Sequence, residues 1–170
     1  MDAIEIIIHE TFEEKLLTRF TSEMNVLTEP CVIVIDIKSE GGYCEVLERM
    51  AEMVAKKKEE GFVFVTNVDE YAYSCAFVMF LLGDIKICDP KADFMNHSAG
   101  IHIKDERITA YDAKEIFESL NEYDKVFDRI ILENTDLTPE MFSFIKKNTT
   151  FFNREDLILL GIMQNEYSLN

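Results

Sequence analysis

The segment CVIVIDIKS (31–39) constrains the fold most, because it is a nearly continuous run of β-branched residues. Such a run is typical of a strand buried on both faces of a parallel sheet. A similar run, FVFVTNV (62–68), follows a segment with helical spacing of apolar residues (43–61), and IEIIIH (4–9) is a third strand-like segment. Strands that alternate with helices in this way predict right-handed βαβ crossovers and an α/β fold.

The remainder of the chain continues this alternation without a linker, repeat or low-complexity tract. Thr11 and Glu14 form a capping-box pattern at the start of the first helix. A small hairpin, or a strand with a turn, is expected at 100–109. We therefore interpret residues 1–170 as one domain. The other predicted strands are 85–89 and 92–97, and the predicted helices are 11–27, 43–61, 74–83, 110–135, 137–148 and 151–163.

Length and charge narrow the possible partners. A chain of 170 residues is long enough to bury a substantial core. Its net charge is −16, and its one dense basic run, KKK at 56–58, lies among glutamates. A nucleic-acid partner is therefore not expected, because such proteins present a basic patch to phosphates. No apolar run has the length of a membrane span, so no membrane partner is expected either.

The cysteines and the N-terminal residues indicate the cellular compartment. The four cysteines are scattered singly, with no CxxC pair and no matching histidine spacing. We therefore predict no metal site and no cofactor. The opening MDAIEIIIHE is acidic and strand-like, unlike a signal peptide. Free thiols without a leader favour the reducing cytoplasm.

Two glycines follow the strand at 31–39, where an α/β fold places functional groups. Gly41 and Gly42 permit positive φ angles and close approach by another group, so that their amides can face an anion. On these residues alone, an ordinary strand-to-helix turn is the favoured interpretation.

Ser74 and His97 also follow predicted strands. Ser74 opens an apolar helix, so its hydroxyl is either a helix cap or a nucleophile beside free amides. Alone, the cap is favoured. His97 is either a structural histidine or the general base that accepts the serine proton.

Together, the order and spacing of these features resemble ClpP, a serine protease family of the ClpP/crotonase superfamily. The family's Ser-Pro-Gly-Gly motif is Ser-Glu-Gly-Gly here, at 39–42. As in the family, Ser74 lies nine positions before Gly83, and His97 lies seven positions after Pro90. The resemblance covers nearly the whole chain from residue 4 onward.

The resemblance implies a fold and roles for these residues. It implies stacked βαβ units in a head (1–109 and 136–170) with a long handle helix (110–135). Ser74 would be the nucleophile and His97 the general base. The backbone N–H groups of Gly42 and Cys75 would form the oxyanion hole.

The resemblance also implies partners. The substrate would be an unfolded polypeptide, bound extended as an added strand. ClpP-like proteases form heptameric rings, usually stacked through their handle helices, and an ATP-driven unfoldase feeds the chamber. The family's N-terminal loop and first helix, which dock that ATPase, have no counterpart in this sequence. We therefore expect no partnership with a ClpX-like or ClpA-like AAA+ unfoldase.

Two departures from the family motif bear on activity. The triad aspartate position is Thr149, preceded by Asn148, so these two residues are the third-member candidates and neither is anionic. Loss of a triad aspartate costs about 10⁴-fold in turnover, yet the remaining groups still accelerate hydrolysis over water. Glu40 replaces the motif's proline and adds negative charge nearby.

Three functions follow in order of preference. The first is a serine endopeptidase of the ClpP type, assembled as a homo-oligomer. The second is a catalytically impaired ClpP-like protein that assembles with or modulates a protease complex. The third is a crotonase-like acyl-CoA enzyme, which the charge of −16 disfavours because CoA phosphates need a basic site.

Overall fold

The computed structural model describes residues 3–101, 103 and 107–163, and it confirms the predicted α/β class. Thirteen helices and strands are present in these ranges. The strands are β1 (Ile4–Ile8), β2 (Val32–Ile37), β3 (Val63–Val68), β4 (Tyr71–Tyr73), β5 (Ile85–Cys88), β6 (Asp93–Asn96) and β7 (Thr150–Phe152), and the helices are α1 (Glu14–Asn25), α2 (Cys44–Glu59), α3 (Cys75–Leu81), α4 (Ala110–Glu133), α5 (Pro139–Lys147) and α6 (Arg154–Leu159).

The larger sheet is parallel, with strand order β1-β2-β3-β5. Burial alternates along its central strand: Ile33, Ile35 and Ile37 are at most 1 % exposed, while the residues between them are half-buried. On the outward face, Ile85 and Ile87 of the edge strand are half exposed. The prediction that the strand at 31–39 is buried on both faces is therefore wrong for the described residues, which fully bury only one side of the sheet.

The smaller sheet, β4-β6-β7, was not predicted. Strand β6 pairs parallel with β4 and antiparallel with β7. Both missed strands have three residues, too few for a period-two pattern to stand out. Behind this sheet, Phe77 and Phe80 of α3 pack against Phe94, and Phe77 stacks on Phe152. This aromatic cluster joins α3 to the smaller sheet.

Helix α1 starts later than the capping-box pattern indicates. The N–H of Phe12 donates to the Gly41 carbonyl, and the Phe12 carbonyl accepts from Tyr43, both at 2.8 Å. This backbone pairing holds Phe12 extended, so the helix begins at Glu14, with Glu13 as an N-cap that makes no side-chain cap bond. The predicted Thr11 cap is therefore wrong.

Within the described residues, the buried side chains of helix α4 lie only in its C-terminal half. Phe127, Ile130 and Ile131 are buried, whereas Tyr111 and Phe117 are 69 % and 68 % exposed. The helix predicted over 110–135 is thus present and leaves an apolar surface uncovered. No helix within the described ranges has the length and apolar character needed to cross a bilayer.

Parts of the predicted head lie outside the described residues, namely 1–2, 102, 104–106 and 164–170. The predicted hairpin at 100–109 is only partly covered, and its described residues are not in a strand.

Candidate active site

Ser74 lies at the junction of β4 and α3 in a strained backbone conformation. Its φ of 54° and ψ of −121° match the first central residue of a type II′ turn, which glycine favours. For another residue this conformation costs about 1–3 kcal/mol. Two backbone bonds hold it: the Ser74 N–H donates to Met95, and its carbonyl accepts from Val78.

The Ser74 hydroxyl does not cap α3. Ser74 occupies the N-cap position, but its side chain makes no cap hydrogen bond. The interpretation of this hydroxyl as a helix cap is therefore wrong, because the positive φ aims the side chain away from the first-turn amides. The hydroxyl instead lies within hydrogen-bond reach of the Cys75 thiol.

The Gly41 backbone packs directly against Ser74 and its neighbours. A Cβ on Gly41 would lie 2.7 Å from the Tyr73 carbonyl oxygen and 2.9 Å from the Cys75 nitrogen. Its φ is 93°, so both conformation and space require glycine there. The loop after β2 thus approaches the start of α3 as closely as backbone atoms permit.

Ser39 organises this loop, although the sequence reasoning gave it no role. Its buried hydroxyl donates to the Glu10 carbonyl at 2.7 Å and accepts the Gly41 N–H at 3.1 Å. The local signal was a serine two positions before a glycine, the pattern of a hydroxyl-closed turn.

The Cys75 thiol links α3 to the glycine loop. It donates to the Gly42 carbonyl at 3.3 Å and contacts the Cys44 thiol. That contact and burial raise the pKa of Cys75 far above its ordinary value, so this thiol keeps its proton and acts as a donor. It therefore fixes the Gly42 backbone relative to the first residue of α3.

One of the two predicted oxyanion-hole amides has no acceptor. Among the described residues, the Cys75 N–H donates no hydrogen bond to another protein group, whereas the Gly42 backbone also lies against the Cys75 thiol. An unpaired N–H beside a serine is the kind of donor that a developing oxyanion requires.

His97 follows β6 at the end of a neighbouring parallel strand. The register pairs Tyr73 with Met95, so Ser74 and His97 both leave the same edge of the smaller sheet. His97 is half-buried, and within the described residues its ring makes no hydrogen bond, including none to Ser74. The fold brings the two residues to adjacent strand ends but does not join them. Catalytic hydrogen bonds are often long before substrate binds.

Neither third-member candidate supplies a carboxylate near His97. One further step of the β6–β7 register places Thr149 opposite His97, with its side chain exposed. The Asn148 amide donates to the Phe144 carbonyl within its own helix end. Two carboxylates nearby in sequence lie elsewhere: Asp156 closes the capping box of α6, and Asp136 packs against Gly161.

The described residues contain no group of three or more metal-ligating side chains placed to hold an ion.

Comparisons with known proteins give the fold a name. No family model and no curated protein sequence matches the chain. Solved structures do match: ClpP1 (N165D mutant) from Listeria monocytogenes has a TM-score of 0.77 at 16 % identity, covering 98 % of this chain and 94 % of that one. A peptidase from Plasmodium falciparum has a TM-score of 0.73 at 13 % identity, covering 95 % and 93 %. The chain therefore has a ClpP-like fold.

Proposed function

We propose that this protein is a serine endopeptidase of the ClpP type, which hydrolyses peptide bonds of unfolded polypeptides. The observation that carries the proposal is the backbone at Ser74. A serine held at positive φ between a strand and a helix, with a hydroxyl that does not cap the helix, is the arrangement of an exposed nucleophile. Strain at such a position points to function, because folding alone does not require it.

The proposed roles follow from the positions of the groups. His97 takes the proton of Ser74 as the hydroxyl attacks the peptide carbonyl, and returns it to the leaving amine. The N–H groups of Gly42 and Cys75 donate hydrogen bonds to the oxyanion, and the thiol bond from Cys75 to the Gly42 carbonyl holds the two amides at a fixed separation.

Self-assembly into a ring or stacked barrel is part of this proposal. Its support is apolar surface that one chain leaves uncovered, on α4 and on the outward face of the larger sheet. Tyr111 and Phe117 lie on the first surface, and Ile85 and Ile87 on the second. Exposed apolar patches of this kind mark association sites. We place the assembly in the cytoplasm, because no disulfide joins the four cysteines among the described residues, as expected in a reducing compartment.

The test is covalent labelling of the full-length protein with a fluorophosphonate, together with hydrolysis of an unstructured peptide. Wild type is expected to react at Ser74, as located by peptide mass mapping. Ser74→Ala should lose both reactions by at least about 10³-fold. Ser143→Ala, which alters an exposed serine on α5, should behave as wild type. Absence of labelling at Ser74 in assembled wild type contradicts the proposal.

Two observations favour a second function: position 149 is a threonine, and no hydrogen bond joins Ser74 to His97 in the described residues. On this alternative the protein is catalytically impaired and joins or modulates an active protease complex. Mixing it with an active ClpP ring and weighing the products by native mass spectrometry separates the two. A mixed complex without labelling of Ser74 supports the alternative.

A further inference from the structure

His97 shares a small cavity with charged side chains from two helices. The cavity lies between the end of β6 and helices α4 and α5. Asp124 and Asp128 of α4 and Lys146 of α5 are the charged groups that line it among the described residues. Two carboxylates thus face one ammonium group, which leaves the wall beside the imidazole with an excess negative charge.

Asp124 also holds the segment that follows His97. Its Oδ1 accepts the N–H of Ala99 at 2.8 Å, two residues after the histidine. The next contact reinforces it, because the Ser98 hydroxyl donates to the Lys146 carbonyl at 2.8 Å. The chain leaving His97 is therefore fixed to both helices.

The two carboxylates are not equivalent. The Lys146 ammonium lies 2.5 Å from Asp128 but 3.7 Å from Asp124. Asp128 is therefore the main counter-ion of the lysine, and the charge of Asp124 is the less compensated. The Asp124 side chain is also 81 % buried, with 19 % exposed, which weakens screening by water.

We propose that Asp124 is a positioning residue for His97, which holds the segment after the imidazole and supplies the negative charge that the uncharged Thr149 lacks. This inference rests on the proposed function. When His97 takes the proton of Ser74 it becomes an imidazolium, and a carboxylate in the same cavity stabilises that cation. The charge comes from α4 instead of the segment before β7.

The test compares charge and clamp separately. Asp124→Asn keeps an oxygen that can accept from Ala99 but removes the charge, whereas Asp128→Asn removes the charge that Lys146 already neutralises. For each variant, the rate of fluorophosphonate labelling at Ser74 is measured from pH 5 to 9. Asp124→Asn is expected to slow labelling by at least about 30-fold, within the roughly 10⁴-fold effect of a triad carboxylate. Asp128→Asn should change it less than about threefold.

The pH profile distinguishes this role from a purely structural one. Labelling needs a neutral imidazole, so its rate rises with pH. Removing the Asp124 anion disfavours the imidazolium, so the rise should move to lower pH. Lys146→Met removes the cation that faces both carboxylates, so it should move the rise in labelling rate to higher pH. This variant gives a test of opposite sign if Asp124→Asn does not fold. Asp124→Glu should recover most of the rate.

Each outcome decides the inference. Labelling of Asp124→Asn at the wild-type rate with an unmoved profile overturns it and leaves the proposed function intact. An equal loss of labelling rate in Asp128→Asn also overturns the inference, since the effect would then come from the total negative charge of the cavity and not from Asp124. If wild-type Ser74 is not labelled at all, the proposed function fails and takes this inference with it.

Discussion

Two helix N-termini in this molecule carry the same kind of residue and use it in opposite ways. At α6, the Asn153 side chain accepts the Asp156 N–H, and the Asp156 carboxylate accepts the Asn153 N–H in return. Asn153 has an extended backbone, with φ of −100°. At α3, Ser74 has positive φ and its hydroxyl caps nothing. The Asn153 side chain stabilises the start of its helix, whereas Ser74 makes no cap bond and holds a strained backbone conformation.

The difference shows where stability has been given up. Capping residues contribute about 1 kcal/mol, and a backbone in a glycine-type conformation costs a similar amount. A serine that makes no cap and holds that conformation lacks the capping stabilisation and also bears the strain. Such local conflicts are expected at functional sites, where the surrounding structure overdetermines the geometry.

The largest effect is expected at the glycine that packs on Ser74. Gly41→Ala should lower the free energy of unfolding by about 3 kcal/mol or more, because its Cβ would overlap backbone atoms at 2.7 Å and 2.9 Å. Gly61→Ala is the matched control, since Gly61 has φ of 92° but meets only Pro30 side-chain atoms at 3.6 Å or beyond. We expect about 1 kcal/mol there, measured by urea unfolding. Equal losses would show that conformation, and not crowding, decides.

Relief of strain at the α3 junction gives the next effect. Ser74→Gly should raise the free energy of unfolding by about 1 kcal/mol while abolishing labelling, since glycine adopts this backbone without strain. Ser74→Ala should change stability by less than about 0.5 kcal/mol, because the hydroxyl makes no cap bond. A clear destabilisation of Ser74→Ala in thermal unfolding would mean that the contact of the hydroxyl with the Cys75 thiol stabilises the fold.

The capped helix should respond in the reverse sense. Asn153→Ala is expected to lower the free energy of unfolding by about 1 kcal/mol and to leave peptidase activity within twofold of wild type. The measurement pairs urea unfolding with the fluorophosphonate labelling rate. Loss of labelling without loss of stability would make the contrast between the two termini untenable.

The smallest effect is a pH dependence at the N-terminus of α4. Hydrogen bonds from the Thr109 N–H and hydroxyl lower the pKa of the Asp112 carboxyl below its ordinary value. Its stabilising contribution is therefore complete above about pH 4 and is lost as pH falls through the lowered pKa. Melting temperatures from pH 6 to 2 should show wild type losing more than Asp112→Asn over this window. Parallel curves would refute the assignment.

The sequence predicts the larger sheet and the long helix well, because their patterns are long. The β-branched run at 31–39 covers a whole strand, and the amphipathic repeat over 110–135 covers several helical turns. Prediction from sequence fails at Phe12, because its backbone pairs with the loop after β2 instead of starting the helix. It also fails at β4, because three residues are too few to show a period of two.

The candidate site divides in the same way. Ser74 and His97 can be selected from sequence because each follows a predicted strand, where α/β folds place functional groups. Their placement at neighbouring strand ends depends on β4, which the sequence does not reveal. Asp124 cannot be selected so, because it is one acidic residue among many on an amphipathic helix. Only the packing of α4 against the end of β6 brings its carboxylate to Ala99.

The loop after β2 has a consequence for how the site meets a ligand. Its backbone is hydrogen-bonded to two separate parts of the chain, because the Ser39 carbonyl accepts the Tyr73 N–H and the Gly41 carbonyl accepts the Phe12 N–H. Next to the loop, the Ser74 N–H donates to the Met95 carbonyl. These amides exchange with solvent only when the backbone hydrogen bonds between the loop and both sheets break, so their hydrogen exchange should be as slow as global unfolding. An arriving peptide or covalent inhibitor therefore meets a receptor whose main chain is already ordered, and little of its affinity is lost to organising that main chain.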